Sequence, residues 1–406
     1  MNKNMYNGIL RDVIFLATVL TIISCKTSAE LTCEAIDIDS ATRVDTVRFS
    51  RYLNPPQIIK LETNKNCIIQ EIYRLDVFDD KLYILDEKSN RLIVFDSNGR
   101  YLYDIGKNGN GNKEYLQISD VSIDRQNKVG YVWDEGRGNA LTFETETGKI
   151  LSVINHGVNE CQCYDILFSN GQFYVNQTSN TSKSNDFMLK EIDLNSGEKI
   201  GEHLNADIYN KGWNLPLRSK KSGFSMRGTS TPKYVGMFGD LILSFTKNGI
   251  TPVYHVESKK LVSKDDIEFI ARQYEESGIY ELDRLNRSDK ISGIFNYLEL
   301  GNTIHFSFYE GDEVHTLLYD KATHTSVIPK FFGDDFLLNE DLCYLELCYS
   351  DNSIVVAALQ TDAIPIFVNY AVKPDKRNTN NNNYEALKDL AENVDSNPIL
   401  FVYKIK

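Results

Sequence analysis

The strongest constraint on this chain is a recurrence of short apolar runs, set apart by turn residues, with no helical spacing between them. The stretch Leu82–Gly106, LYILDEKSNRLIVFDSNGRYLYDIG, shows the unit. Lys81–Leu85, Arg91–Phe95 and Tyr101–Ile105 are rich in aliphatic and aromatic side chains, which suit a pleated surface. Asp96-Ser97-Asn98-Gly99 is a tight-turn signal, with Gly99 free to take a positive φ. Glu71–Phe78 supplies a fourth run, so one antiparallel four-stranded sheet is expected here.

The same grammar returns along the chain, as a repeat architecture requires. A second set is Ile118–Asp124, Gly130–Asp134, Leu141–Thr145 and Ile150–Ile154, and its turn Glu146–Lys149 matches Ser97–Arg100. A third is Tyr164–Phe168, Gln172–Gln177, Phe187–Asp193 and Lys199–His203. The fourth is expected over Tyr234–Phe238, Leu241–Thr246, Pro252–Val256 and Lys260–Val262. The fifth is Phe295–Leu300, Thr303–Tyr309, Val314–Tyr319 and Thr325–Ile328. A sixth begins with Tyr344–Tyr349 and Ile354–Leu359, is interrupted by the polar linker Lys373–Asn383 and a helical pattern over Tyr384–Val394, and resumes at Ile399–Ile405. It is one strand short, and Gln57–Glu62 can complete it, which leaves no exposed edge. The fold expected is all-β: a six-bladed β-propeller of four-stranded antiparallel blades over residues 55–406, its last blade closed by N- and C-terminal strands, with short helical insertions such as Asp265–Ser277.

The first 24 residues read as a targeting segment. Lys3 and Arg11 precede the apolar run Val13–Ile23, which is too short for a bilayer of roughly 30 Å. The run ends in Ile22-Ile23-Ser24-Cys25, which resembles the bacterial lipobox. That resemblance implies cleavage before Cys25, acylation of its thiol with chains such as palmitate, and a lipid bilayer as a partner. Residues 25–54 are expected to form a polar tether, with Asp39-Ser40-Ala41 and Asp45-Thr46-Val47 similar to O-glycosylation acceptors of Bacteroidota. The opening stretch itself resembles the NHL repeat through Asp86, Arg91, Val94, Phe95, Asp96, Gly99 and Gly106, and Gln57–Lys406 resembles the NHL-like six-bladed propeller lipoproteins of Bacteroidota. This implies a bacterial cell-envelope location, anchored at the outer membrane and facing the periplasm or the surface. It implies no particular reaction.

Composition excludes one class of partner. With 44 Lys+Arg against 57 Asp+Glu the net charge is −13, which repels phosphate backbones, so no nucleic acid is expected. The sequence lacks H-E-x-x-H, G-x-S-x-G and Walker-type motifs, and Gly106, Gly109 and Gly111 join two strands with no helix after them. The reading is a non-enzymatic ligand-binding or protein-interaction module, monomeric, with no catalytic residues assigned and no cofactor. The alternative is a metal-dependent hydrolase or lyase, lactonase-like, holding a divalent cation in the central channel. For that reading Asp76, Asp120 and Asp165, which sit in similar registers on first strands, are candidate channel carboxylates. For the binding reading the non-repetitive segment Leu204–Lys233 offers Trp213, Arg218, Phe224 and Arg227, suited to a carbohydrate, peptide or protein partner. His305 is expected in the core or facing outward, and the six cysteines after Cys25 are expected to be buried thiols.

Overall fold

The computed structural model describes residues 33–155, 161–179, 187–215, 223–277, 288–337, 345–371 and 397–406. The proposed leader, Cys25, Arg218, the linker 373–383 and the helical pattern 384–394 lie outside them. Ala35–Lys406 form one compact unit. Three strands come first: β1 (Glu34–Asp37), β2 (Thr42–Arg48) and β3 (Gln57–Lys60). Blade one is β4 (Arg74–Phe78), β5 (Lys81–Asp86), β6 (Arg91–Asp96) and β7 (Tyr101–Asp104). Blade two is β8 (Ile118–Asp124), β9 (Val129–Asp134), β10 (Asn139–Glu144) and β11 (Ile150–Asn155). Blade three is β12 (Cys161–Ser169), β13 (Gln172–Ser179), β14 (Phe187–Ile192) and β15 (Lys199–Asn205).

Blade four is β16 (Gly223–Ser225), β17 (Lys233–Val235), β18 (Leu241–Thr246) and β19 (Gly249–Glu257), with β1 added outside β19. Blade five is β20 (Ile291–Leu300), β21 (Thr303–Glu310), β22 (Glu313–Asp320) and β23 (Thr325–Gly333), with β2 added in parallel to β23. Blade six is β24 (Glu346–Ser350), β25 (Ile354–Leu359), β26 (Ile399–Lys404) and β3. The six first strands touch in a closed cycle, from β4 through β8, β12, β16 and β20 to β24 and back to β4. The molecule is therefore a six-bladed propeller whose last blade joins Gln57–Val402 and its neighbours in antiparallel register.

The packing explains why the strands read as continuous apolar runs. In blade one Leu82, Ile84, Ile93 and Phe95 face blade six, while Tyr83, Leu85, Leu92 and Val94 face blade two. Each of these eight side chains is at most 3% exposed. A strand with neighbours on both faces has no solvent side, so strict alternation disappears. The turn at Asp96–Gly99 also forms as read: Asp96 Oδ1 accepts the N–H groups of Asn98 and Arg100, and Gly99 has φ +84°. A Cβ on Gly99 would lie 2.2 Å from the Lys60 carbonyl oxygen, so this turn must be glycine to seat on blade six.

Two expectations change. Blade four does not start at Tyr234 or end at Lys260–Val262. Its first strand is the three-residue β16, drawn from the segment read as non-repetitive, and Leu261 makes only a single parallel bridge to Ile291. So short a strand, entered through Gly223 at φ +102° and left through Met226 at φ +51°, carries no periodicity to recognise. The tether is also shorter at its C-terminal end than residues 25–54. Glu34–Arg48 pairs onto blades four and five, and Phe49 is fully buried against Phe332 and Tyr403. Of the helices, α1 (Ala206–Tyr209) is a single turn. The expected insertion is α2 (Lys264–Ser277), which starts at a Ser263–Asp266 capping pair and buries Ile267 and Ile270 against Trp213 and Phe238. An additional helix, α3 (Ile364–Ala371), buries Ile364 and Phe367. No helix among the described residues is long and apolar enough to cross a membrane.

Candidate functional site

The first strands of three successive blades each bring a carboxylate toward the axis. Asp76 on β4, Asp120 on β8 and Asp165 on β12 are at most 2% exposed. The structure brings these sequence-chosen residues into one region and pairs them with three arginines, of which the sequence reading named only Arg227, and that as a ligand-binding residue. Arg74 bridges two blades, its Nε donating to Asp120 Oδ1 and its Nη2 to Asp165 Oδ1, both at 3.1 Å. Arg227, which follows β16, donates from Nη1 to Asp120 Oδ2 at 2.7 Å and from Nη2 to Asp165 Oδ1. Arg125 donates from Nη2 to Asp76 Oδ1 at 2.5 Å and from Nη1 to the Val77 carbonyl at 2.7 Å. Backbone N–H groups complete the acceptors: Val77 to Asp76, Ile166 to Asp120 and Phe224 to Asp165.

The electrostatics follow from this knot. Burial opposes the charged form of Asp120, but Arg227 and Arg74 outweigh it and hold its carboxyl below the ordinary range. Burial, reinforced by the neighbouring Asp120, pushes Asp165 up to about 6 despite Arg227. Burial likewise raises Asp76 against the pull of Arg125. Arg74 is lifted above its usual value, since Asp120 and Asp165 outweigh the opposing cost of burial. Three guanidiniums face three carboxylates, so the knot offers little negative potential to a cation. Each carboxylate already accepts charge-assisted hydrogen bonds, so these residues do not fit a divalent metal. Among the described residues no group of three or more His, Cys, Asp or Glu is arranged to hold one.

Beside the knot the channel opens into a cavity of about 100 Å³, lined by the first strands of blades one, four, five and six. Arg74, Ser225, Arg227, Asn296, Tyr297 and Glu346 contribute to its wall. Arg74 spends Nε and Nη2 on the knot, and its Nη1 has no partner among the described residues. The buried Ser225 Oγ has none either. Asn296 sits at φ +52° beside a register shift in β20, a bulge that re-aims the strand at the channel. Its carbonyl accepts from His305 Nδ1 at 3.1 Å, which puts the proton on Nδ1 and leaves Nε2 with a lone pair. His305 is 4% exposed, and burial lowers it to about 4, so it is a neutral core residue. Asn296, Glu346 and Leu347 also line a second cleft, between blades five and six, with Ser307, Thr316 and Lys330.

The residues proposed from the non-repetitive segment separate. Phe224 is buried on β16, edge-on to Tyr234 and Phe245, with the Arg227 guanidinium over its ring at 5.7 Å. Arg227 belongs to the knot. Trp213 is 2% exposed and packs on Phe238 away from the knot residues, while Arg218 lies outside the described residues. Sequence reasoning missed Arg74, Arg125, Ser225 and Asn296. The cue for the arginines was present, since Arg74 stands two residues before Asp76 and Arg125 directly follows β8. Cys67 and Cys348 are thiols donating to the carbonyls of Glu62 and Val356, and burial raises the pKa of both.

A family model described as Domain of unknown function (DUF4934) matches residues 33–404. No curated protein matches the chain. Among solved structures, the chain is similar to a "Putative exported protein" from Bacteroides fragilis NCTC 9343, with 21% identity and a TM-score of 0.68 over 92% of this chain and 99% of that one. It is also similar to a member of the duf4221 family from Bacteroides vulgatus ATCC 8482, with 12% identity and a TM-score of 0.52 over 87% of this chain and 98% of that one. At these identities the likeness is one of fold.

Proposed function

The chain belongs to the family described as Domain of unknown function (DUF4934), and from that premise we propose that it is an exported, lipid-anchored propeller that binds a peptide-type ligand in its channel without transforming it. The observation that carries this reading is Arg74. Two buried carboxylates fix its guanidinium, and Nη1 is left over at the wall of a cavity that Glu346 also lines. A rigid guanidinium with spare donors suits an amide carbonyl or a carboxylate, and Glu346 suits an amide N–H or an ammonium group. The channel holds no nucleophile paired with a base among its described serines and cysteine. Ser350 Oγ and Cys348 Sγ donate to backbone carbonyls, and Ser225 Oγ has no partner.

Anchoring rests on Cys25 and its lipobox-like context, and the cell-envelope location and the grouping with NHL-like lipoproteins of Bacteroidota rest on the motifs of Leu82–Gly106. The test uses the full-length protein in detergent with an equimolar pool of tripeptides bearing free termini. Saturable heat of binding is expected, with Arg74→Lys weakening it about tenfold and the peptides recovered intact. Binding indifferent to both Arg74→Lys and Glu346→Gln sinks the site, and cleaved peptides sink the non-enzymatic reading. For the anchor, Cys25→Ser should abolish palmitate labelling and release the protein from the membrane fraction.

A further inference from the structure

Blade five is split along part of its outer edge. β22 and β23 pair only at Leu318–Val327, Tyr319–Ser326 and Asp320–Thr325, and then part. Beyond that point β22 stays paired with β21 as far as Glu313, and β23 with β2 as far as Gly333. The sequence supplies the cause. The Lys321 N–H donates to the Asn302 carbonyl, so odd-numbered residues of β22 turn their backbone groups to β21 and even-numbered ones to β23. Continuing the register would set Thr316 opposite Pro329, where β23 must return an N–H, and proline has none. The backbone groups of Val314 and Thr316 therefore face the gap with no strand beside them among the described residues.

The gap is roomy and opens on both faces of the blade. Toward blade six it is the cleft of about 460 Å³ already described, whose wall includes Phe49, Phe332 and Leu345. Toward blade four lies a cleft of about 550 Å³ with Arg43, Asp45, Glu313 and His315. Val314, Pro329 and Lys330 line both, so the two clefts meet through the split. Val314 is 55% exposed, and an unpaired, β-branched edge of this kind is one that sheets ordinarily cover or blunt. Lys330 is the one charge common to both clefts. It lies over the Phe331 ring at 5.4 Å, with no acidic partner among the described residues.

We infer that this split takes an extended segment of a partner polypeptide as an added strand. Backbone donors and acceptors that repeat at every second residue are matched by another extended backbone. Alternate side chains of the incoming strand fall on the apolar wall toward blade six and on the charged wall toward blade four, and an acidic one meets Lys330. The site needs neither Arg74 nor free peptide termini, so it stands or falls apart from the channel reading.

The test titrates the full-length protein with a heptapeptide capped at both ends, alternating valine with polar residues and carrying a glutamate at its centre. Saturable heat is expected, with exchange of the Val314 and Thr316 amides slowed about tenfold or more. N-methylation of every second peptide residue should abolish binding. Val314→Pro should weaken it about tenfold, since it removes an N–H that β21 does not use, while Arg74→Lys should leave it unchanged. Should Val314→Pro misfold, the N-methylated peptide on the wild-type protein decides alone. No saturable binding, equal binding of the N-methylated peptide, or a loss on Arg74→Lys as large as on Val314→Pro overturns the inference. So does slow exchange of both amides before any peptide is added; the split is then filled by the chain itself or by a second copy.

Discussion

The two halves of the ring solve the problem of the central channel differently. In blades one to three each first strand carries an aspartate, and arginines from two neighbouring blades and from the start of blade four lock these into a closed knot. In blades four to six the first strands are irregular: β16 has three residues, β20 is bulged at Asn296, and Glu346 and Ser350 replace the aspartate series. Here the channel opens into a cavity whose wall includes Asn296, Tyr297 and Glu346. Regular repeats close the axis, and departure from the repeat leaves a cavity. Buried charge secures the first half and backbone irregularity equips the second.

The sharpest way to break this comparison is to remove one knot carboxylate. Asp120→Ala leaves Arg74 and Arg227 facing a buried gap and should cost about 4 kcal/mol, read from chemical denaturation. Glu346→Gln in the open half should cost under about 1 kcal/mol while weakening ligand binding. Equal losses would mean that the halves do not differ in this way. Next in size is Gly223, where the halves meet. A Cβ there would sit 2.4 Å from Asp165 Oδ2 at φ +102°, so Gly223→Ala should cost about 3 kcal/mol. Gly249 has a similar φ of +114° with nothing within 4 Å, and its alanine variant should lose only the strain, about 1 kcal/mol.

Protonation sharpens the comparison further. Asp165, raised to about 6, keeps a proton that the unfolded chain releases near pH 4. Its contribution is full below pH 4 and is lost as pH rises through 6. Asp334, buried against Tyr403 and also raised to about 6, behaves alike. His305, lowered to about 4, refuses a proton that the unfolded chain takes up below about 6.5, so its contribution is lost as pH falls toward 4. Wild-type stability should thus fall gently from pH 4 to 6. Asp165→Asn should flatten the profile and His305→Gln should steepen it, each by at most about 1.4 kcal/mol per pH unit. A profile unchanged by Asp165→Asn would mean that the knot releases its protons as an ordinary surface would. The smallest effect belongs to the surface pair Lys128–Asp79, both partners about half exposed; Lys128→Ala should change stability by less than about 0.5 kcal/mol.

Much of the first half was legible in the sequence because its signals are local. The turn Asp96–Gly99 and the doubly buried runs of β5 and β6 sit within a few residues of one another, and the first-strand aspartates recur once per blade in similar local registers. The completion of blade six by Gln57–Lys60 was legible by counting strands. What stayed hidden depends on distant contacts. Arg227 finds Asp120 and Asp165 across blades, which no spacing announces. Glu34–Arg48 looks polar because it adds outer strands whose exposed faces are wet, so its pairing with β19 and β23 leaves little apolar pattern. β16 is too short to show a period at all.

The pairing of β26 with β3 also bears on how the chain folds. Val402 meets Gln57 across nearly the whole described propeller, so the ring shuts only after its most distant strands meet. Closing a loop of that length costs roughly 5 kcal/mol of chain entropy under the logarithmic law. Each of the first five blades draws its four core strands from one continuous segment and can zip locally, but closure must wait for Ile399–Lys404 to emerge and find Gln57–Lys60. Synthesis from the N-terminus thus delivers an open arc of blades, and the channel acquires its final shape in one late step.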